Sequence, residues 1–469
     1  MKQGFNPYLP SWEYIPDGEP HVFGDRVYVY GSHDRFNGHA YCLNDYVGWS
    51  ASVDDLTDWR YEGILYEKTD DPDNADGEMC LYAPDVTQGP DGRYYLYYVL
   101  NRQHVVSVAV CNSPAGKFRF LGKVHYPDGT LLGDRDGDQP QFDPGVLTEG
   151  DRVYLYTGFC MPEDATRTGP MATVLEPDML TVKEAPVTVA PSKLHGKGTS
   201  FEGHEFFEAA SIRKIGTAYY LIYSSILYHE LCYATSEHPT KGFVFRGTLV
   251  SNNDSHIASY KPAERPMFYG GNNHGSLVEI AGQWYVFYHR HTNGTNYSRQ
   301  GCLEPVELKE DGSIPQAEMT SCGPNGGPLA GSGKYPAHIA CNLFAKTEEA
   351  YTAGPGDWMD CRFPKITQDG KDGDKEPGYV ANLRDGATAG YKYFDCRGVK
   401  RVSIETRGGG GAFEVLTAWD GEPLGRISLQ ATNEWKTFSA DIVIPDGVQA
   451  LYFRYSGPGR ASLLSFGLE

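Results

Sequence analysis

A short aromatic strand recurs five times in the first two thirds of the chain. Aligned on their central aromatic residue, successive copies are 67, 59, 66 and 65 residues apart. A supersecondary unit repeated at a near-fixed period is typical of solenoids and propellers, and this period allows four-stranded blades with long connections. We therefore predict a five-bladed β-propeller, with an ordinary β-sandwich as the alternative. The copies are Arg26-Val-Tyr-Val-Tyr-Gly, Arg93-Tyr-Tyr-Leu-Tyr-Tyr, Arg152-Val-Tyr-Leu-Tyr-Thr, Ala218-Tyr-Tyr-Leu-Ile-Tyr and Gln283-Trp-Tyr-Val-Phe-Tyr.

Composition supports an all-β fold. The 469 residues include 55 Gly, 30 Pro and 33 Tyr, and the chain lacks a long apolar pattern of helical period, so short strands and many turns are expected. From about Cys322 the chain becomes rich in Gly and Pro, which is typical of a boundary. We predict a propeller over residues 1–322, a linker and first part of the C-terminal region over 323–378, and a jelly-roll-like β-sandwich over 379–469.

The charge balance limits the partners of the chain. A formal net charge of −20 disfavours nucleic acid and anionic membrane surfaces, because both attract basic proteins. No stretch approaches the roughly 20 apolar residues of a transmembrane helix, and residues 1–20 do not resemble a secretion signal. The ten cysteines are scattered and suggest free thiols in a reducing compartment. We expect a cytoplasmic location, while the oligomeric state is left open.

Three acids stand out at the entrances of repeat strands. Glu19 precedes the first copy, Asp143 the third and Glu208 the fourth, each within an apolar or proline-bounded segment. A carboxyl group in such surroundings is poorly solvated, which raises its pKa. Because the innermost strands of a propeller converge on the axis, these acids are candidates for one catalytic site.

At these positions the chain resembles family 43 glycoside hydrolases, which are five-bladed propellers. The resemblance covers roughly residues 5 to 320 and rests on the order and spacing of short motifs. The motifs are Glu19-Pro20, Tyr82-Ala-Pro-Asp85, Phe142-Asp143-Pro144, Glu208-Ala-Ala followed by Tyr219-Tyr-Leu, and Asn273-His-Gly-Ser-Leu.

The resemblance implies hydrolysis with inversion, in which a carboxylate activates water and a carboxylic acid protonates the leaving oxygen. It makes Glu19 the base, Glu208 the acid, and Asp143 the group that tunes the pKa of Glu208. The family's usual base is Asp, so Asp17 is the alternative to Glu19. Glu205 is a minor competitor of Glu208.

Further substrate-binding residues follow from the same resemblance. Arg299 matches an arginine that reaches the substrate pocket, and His274 matches a histidine near the axis. No cofactor is expected to be required; a structural calcium near the axis is an option, and its contact with His274 would run through water because calcium prefers oxygen ligands. The complete expected set is Asp17, Phe36, Tyr82, Asp85, Phe142, His274 and Arg299.

The C-terminal part resembles a family 6 carbohydrate-binding module, although packing against the propeller is the favoured role. The implied function is an exo-acting hydrolase that releases a pentose from plant-derived oligosaccharides, as a β-xylosidase, an α-L-arabinofuranosidase or both. Two alternatives remain: a galactose-releasing hydrolase of the same fold, and a non-catalytic carbohydrate-binding propeller.

Overall fold

Five antiparallel sheets follow one another along the first two thirds of the chain. The computed structural model describes residues 2–346 and 362–469. Each sheet is a meander of consecutive strands, and each copy of the aromatic repeat forms the second strand of its sheet. The first two sheets contain β1 (Glu19–Phe23), β2 (Arg26–Tyr30), β3 (Tyr46–Ser52) and β4 (Asp55–Tyr66), then β5 (Asp85–Gln88), β6 (Tyr94–Tyr98), β7 (Ser107–Cys111) and β8 (Arg119–Lys123).

The third and fourth sheets have four strands each, and the fifth has three. These sheets contain β9 (Gly145–Glu149), β10 (Arg152–Thr157), β11 (Met171–Leu175) and β12 (Val182–Thr188); β13 (Phe206–Ile215), β14 (Ala218–Ser225), β15 (Glu230–Ser236) and β16 (Val244–Ser251); and β17 (Leu277–Ile280), β18 (Gln283–His291) and β19 (Arg299–Val306).

The five sheets close into a ring around an axis lined by their first strands. Strand β1 lies beside β5 and β17, and β9 lies beside β5 and β13. The hydroxyls of Ser211 and Ser276, 2.8 Å apart, join β13 to the segment before β17. The N-terminal segment lies along β19 of the fifth sheet, where the Tyr8 N–H donates to the Gly301 carbonyl at 3.3 Å. The predicted five-bladed propeller is therefore confirmed.

Buried tyrosines explain why the repeat is aromatic. Their rings fill the space between neighbouring blades, and their hydroxyls bond backbone carbonyls of the next blade. The Tyr30 hydroxyl donates to Pro114 O at 2.7 Å, and the Tyr97 hydroxyl donates to Met179 O at 2.7 Å. The repeat thus supplies both apolar area and a polar link at successive blade interfaces.

The C-terminal region is a β-sandwich of two sheets, as predicted. One sheet contains β20 (Leu329–Ala330), β22 (Asn342–Phe344), β25 (Thr388–Cys396), β27 (Gly411–Leu416), β28 (Gly425–Leu429) and β30 (Gly447–Ser456). The other contains β21 (Gly333–Pro336), β23 (Lys365–Thr367), β24 (Tyr379–Leu383), β26 (Arg401–Gly408), β29 (Thr432–Asp441) and β31 (Ala461–Leu468). The segment 323–378 contributes four of these strands, so the sandwich begins near Leu329.

The sandwich packs directly on the propeller. One continuous apolar core runs from the fourth and fifth blades into both sheets of the sandwich. Lys392 of β25 is fully buried and lies 2.8 Å from both Asp254 and Glu318 of the propeller. A buried cation is tolerated only where carboxylates compensate its lost hydration, so this cluster fixes how the two domains meet.

Helical structure in the described ranges consists of short 3-10 turns, and none of these helices has the length and apolar character needed to cross a bilayer. The described cysteines are free thiols, whereas Cys361 lies outside the described residues. The turns are Lys68–Asp70, Pro72–Asn74, Lys193–His195, Gly323–Asn325 and Ala337–Ile339.

Candidate active site

A cavity of about 460 Å³ opens where the innermost strands begin. Every blade contributes to its lining: Asp17 from the first, Tyr82 from the second, Asp143 from the third, Glu208 from the fourth and His274 from the fifth. Residues far apart in sequence meet here because each lies at the start of its blade's first strand. The volume is at the small end of the usual range for ligand pockets.

Asp17 is held in the ionised form. Ser32 Oγ donates to Asp17 Oδ2 at 2.6 Å, and Arg299 Nη1 donates to Asp17 Oδ1 at 3.0 Å. Burial opposes the charge, but Arg299 and the other polar neighbours, including His274 and Ser32, together outweigh it and lower the pKa of Asp17. The Asp17 N–H donates to His289 Nδ1 at 3.2 Å. That imidazole therefore accepts at Nδ1 and is neutral, and burial lowers the pKa of His289 to about 3.

Arg299 is fixed by a second carboxylate. Its Nε and Nη2 donate to the two oxygens of Asp34 at 2.9 and 3.0 Å, which is the bidentate geometry that orients a guanidinium most firmly. Burial opposes the charge of Arg299, but Asp17 and Asp34 raise its pKa well above the ordinary value. The guanidinium thus points at Asp17 in one defined direction.

Glu208 enters the cavity through an irregularity in β13. The pairing of β13 with β14 shifts register on both sides of Glu208, and Ala209 has a φ of 67°. Such bulges re-aim a side chain that a regular strand would direct elsewhere. A non-glycine residue with positive φ is uncommon and often accompanies a functional site. Asp143, on the neighbouring blade, also has a positive φ of 44°.

Asp143 and Glu208 share a buried environment that favours one proton on the pair. Burial raises the pKa of Glu208 to about 8, and the charge of Asp143 adds to the effect. Burial also raises the pKa of Asp143. However, the Ala209 N–H donates to Asp143 Oδ2 at 3.1 Å, and His274 lies near the same oxygen. Both contacts favour the carboxylate form of Asp143, so the proton resides on Glu208.

His274 stands among three carboxylates. Its Nδ1 is 3.9 Å from Asp17 Oδ1 and 3.9 Å from Asp143 Oδ2, and its Nε2 is 3.7 Å from Glu19 Oε1. Burial opposes protonation, but these three acids outweigh it and raise the pKa of His274 to about 9. The imidazolium therefore supplies a positive charge between the acids of the site.

Three sequence-predicted residues do not line the cavity. Glu19 faces Arg213, whose Nη2 donates to Glu19 Oε2 at 2.7 Å, so Asp17 is the blade-one acid that lines the cavity. Asp85 is fully buried, and its carboxylate accepts from the Val146 N–H at 2.8 Å; it therefore joins two blades. Phe36 stacks on Tyr14 away from the pocket. Glu205 is likewise not a lining residue; its carboxylate accepts from the Gly203 N–H at 3.1 Å.

Sequence reasoning missed much of the cavity wall. An unbroken row of aromatic rings runs along one side, with successive ring centroids 4.7 to 5.5 Å apart. Two of its five members, Tyr82 and Phe142, were expected. The missed residues lie outside the repeat strands and have no spacing signal. They include Phe159, Phe207 and Tyr228 of this row, and Tyr41, Cys42, Tyr269, Asn272 and Asn296 elsewhere.

His274, near the axis, does not fit direct metal ligation. An imidazolium cannot ligate a cation, and His274 is held in that form by its neighbours. The described ranges also hold two clusters of potential ligands, and in each a histidine is hydrogen-bonded to a carboxylate. His21 contacts Asp85 at 2.7 Å in one cluster, and His204 contacts Glu230 at 2.8 Å in the other.

A propeller whose axial cavity pairs an ionised carboxylate with a protonated one, beside aromatic walls, defines a carbohydrate-cleaving class of enzyme. The sequence profile described as Glycosyl hydrolases family 43 matches residues 17–314. The chain belongs to this family and is a glycoside hydrolase.

Known relatives extend the similarity to the whole chain. A xylosidase/arabinosidase of Thermoclostridium stercorarium is 68% identical over 468 residues, covering 100% of this chain and 99% of that protein. The structure of a family 43 arabinoxylan arabinofuranohydrolase from Bacillus subtilis, in complex with cellotetraose, has a TM-score of 0.52 at 20% identity and covers 99% of this chain and 97% of its own. That likeness shows a shared fold across both domains.

A third comparison concerns the propeller. A β-xylosidase/α-arabinofuranosidase from a compost microbial metagenome, solved with xylotriose in a calcium-free form, has a TM-score of 0.53 at 25% identity. The match covers 68% of this chain and 98% of that one.

Proposed function

We propose that this protein is an exo-acting, inverting glycosidase that releases xylose or arabinofuranose from plant-derived oligosaccharides. One observation carries the proposal: Asp17 and Glu208 line one cavity, and their environments move their pKa values in opposite directions. Paired carboxyl groups with opposed pKa values are the requirement for simultaneous base and acid catalysis. The 68% identical xylosidase/arabinosidase supports the choice of a pentose.

In this mechanism Asp17 is the general base and Glu208 the general acid. Ionised Asp17 takes a proton from water as the water oxygen attacks the anomeric carbon. Protonated Glu208 gives its proton to the glycosidic oxygen as the bond from that oxygen to the anomeric carbon breaks. The products are a free sugar of inverted configuration and an alcohol, and the two carboxyl groups exchange protonation states.

Asp143 acts through Glu208. Its negative charge raises the pKa of Glu208 and so keeps the acid protonated near neutrality. His274 and Arg299 contribute to the lowered pKa of buried Asp17, and they oppose the effect of burial on Asp143, whose pKa is raised to about 7. We propose that no metal is required for the reaction, since the cation among these acids is His274 itself.

The galactose-releasing alternative rests on Glu19 as the blade-one acid, in place of the Asp that is usual in the family. Asp17 now occupies the cavity, so that support disappears. The second alternative is a non-catalytic binding propeller. Such a protein would have no use for a buried carboxyl group like Glu208, whose pKa is raised to about 8. Pentose release therefore remains the stronger proposal.

We infer that the sandwich serves as a packing partner more than as a carbohydrate-binding module. Its aromatic residue Trp435 is covered by the Arg407 guanidinium, which lies 4.2 Å from the ring centroid, and its neighbour Tyr379 is buried. A ring covered in this way offers no open platform for a sugar. Free thiols at the described cysteines support action in a reducing cytoplasm on short substrates.

Proton NMR during turnover tests this function. An aryl β-xyloside should first give α-xylose, and an aryl α-arabinofuranoside should first give the β-anomer. Initial formation of the retained anomer would disprove single displacement. Faster hydrolysis of an aryl β-galactoside than of both pentosides would favour the galactose alternative.

A further inference from the structure

A polar segment of the sandwich contacts a loop of the first blade. The loop, residues 31–45, connects β2 to β3 without a strand or helix of its own. The Phe36 N–H donates to Asp372 Oδ1 at 2.7 Å, and Asn44 Nδ2 donates to Asp372 Oδ2 at 3.1 Å. A single carboxylate of the sandwich therefore holds two separate points of this loop.

The same part of the sandwich also holds a loop of the fifth blade. Asn293, between β18 and β19, donates its N–H to Ile366 O at 2.7 Å and accepts from Thr367 Oγ1 at 2.8 Å. Its Nδ2 donates to Asn37 Oδ1 at 2.8 Å. Asn293 is 6% exposed, so it forms a buried junction between strand β23 of the sandwich and both propeller loops.

These two loops carry part of the cavity. Residues 31–45 supply Tyr41 and Cys42 to the lining, and residues 292–298 supply Asn296. The rings of Tyr41 and Tyr297 meet edge to face at 4.8 Å, which joins the loops across the cavity mouth. The first loop also contains Asp34, the carboxylate that orients Arg299 toward Asp17.

We propose that residues 365–372 of the sandwich are a structural part of the active site, and that Thr367 and Asp372 are positioning residues. They act through the two loops on Asp34 and Arg299, and through these on Asp17. A loop of this length without regular structure is held by the contacts along it. Asp372 and the Asn293 junction supply those contacts from the second domain.

This role differs from general adhesion between domains. The buried Lys392 cluster also joins the sandwich to the propeller, but none of its members lines the cavity. Adhesion alone would change the stability of the protein and leave the ionisation of Asp17 unchanged. If residues 365–372 position Arg299, altering them should raise the pKa of Asp17, because Arg299 lowers that pKa.

The test uses the full chain with Asp372→Ala and Thr367→Val, and with Glu376→Ala as the control. Glu376 is an exposed acid four residues beyond Asp372. Hydrogen exchange measured by mass spectrometry should be faster than in the wild type at residues 31–45 and 292–298 in both test variants. The kcat/KM for an aryl pentoside should fall about fivefold in Thr367→Val, which loses one hydrogen bond to Asn293, and at least as much in Asp372→Ala, which loses two. The acid limb of the pH profile should move to higher pH.

The control decides the outcome. If loop exchange and the acid limb in both test variants match those of Glu376→Ala, the positioning role is overturned. Asp372→Asn keeps one side-chain oxygen for the Phe36 N–H and should restore much of the loop protection. The activity readouts rest on the proposed function, whereas hydrogen exchange needs no substrate. A wild type that cleaves neither pentoside would overturn the proposed function, and exchange alone would then decide this inference.

Discussion

Arg299 Nη1 lies 3.0 Å from Asp17 Oδ1, although 282 residues separate the two in sequence. The contact brings together the segment before the first strand of blade one and the last strand of blade five. It exists only because the ring closes. It also helps to keep Asp17 ionised at the cavity, and most of the expectations below depend on it.

Asp17→Asn should lower kcat on aryl pentosides by about 10² to 10⁴, the range of a lost general base. Glu19→Gln should instead act mainly on stability, because it leaves the Arg213 guanidinium without its buried carboxylate partner. Steady-state kinetics and thermal unfolding of both variants separate the two roles. A larger loss of kcat in Glu19→Gln than in Asp17→Asn would return the base assignment to Glu19.

Glu208→Gln should abolish hydrolysis of xylobiose and of simple aryl pentosides while sparing an aryl pentoside with a strongly acidic phenol. The acidic phenol leaves as an anion and needs no proton, so loss of the acid matters less. Glu205→Gln is the matched control, since Glu205 is buried nearby without lining the cavity. Equal losses on both kinds of leaving group would rule out Glu208 as the acid.

The pH profile of kcat/KM should be bell-shaped. Asp17 must be ionised, and its lowered pKa places the acid limb below the usual range of a carboxyl group. Glu208 must be protonated, and its pKa of about 8 places the alkaline limb there. Asp143→Asn removes a charge that raises the pKa of Glu208, so the alkaline limb should move to lower pH. An alkaline limb that stays in place or moves upward in this variant would contradict the role of Asp143.

Arg299→Ala should destabilise the protein by about 3–5 kcal/mol, because it leaves Asp17 and Asp34 as buried carboxylates without their cation. Chemical denaturation near neutral pH measures the effect. In the wild type, ionised Asp17 stabilises the folded protein above its unfolded-state pKa, and this contribution is lost as pH falls through the lowered folded-state pKa. Part of the stability difference between Arg299→Ala and the wild type should therefore disappear at low pH. Arg299→Lys should restore only part of the stability, because Lys cannot form the bidentate contact with Asp34.

The fold was largely predictable because its signals are local. Alternating aromatic strands bounded by turns repeat five times, and a strand of this kind must bury one face against a neighbouring blade. Composition predicts a linker and first part of the C-terminal region over residues 323–378, whereas the structure shows that Asp372 of this segment contacts the first blade. A polar, Gly-rich composition predicts a loop but does not specify what the loop will contact.

The sequence by itself determined the all-β class, the number of blades, the family resemblance, and Asp143 and Glu208 as acids near the axis. Only the tertiary structure shows that Asp17 lines the cavity and that Glu19 is paired with Arg213. The two are separated by one glycine, and Asp17 has a φ of 56°, which breaks the regular alternation of side chains before β1 begins. Which of them faces the cavity depends on Arg213 and Arg299. These arginines lie on blades four and five, far from both acids in sequence, and no local pattern could reveal how closure of the ring would bring each to its acid.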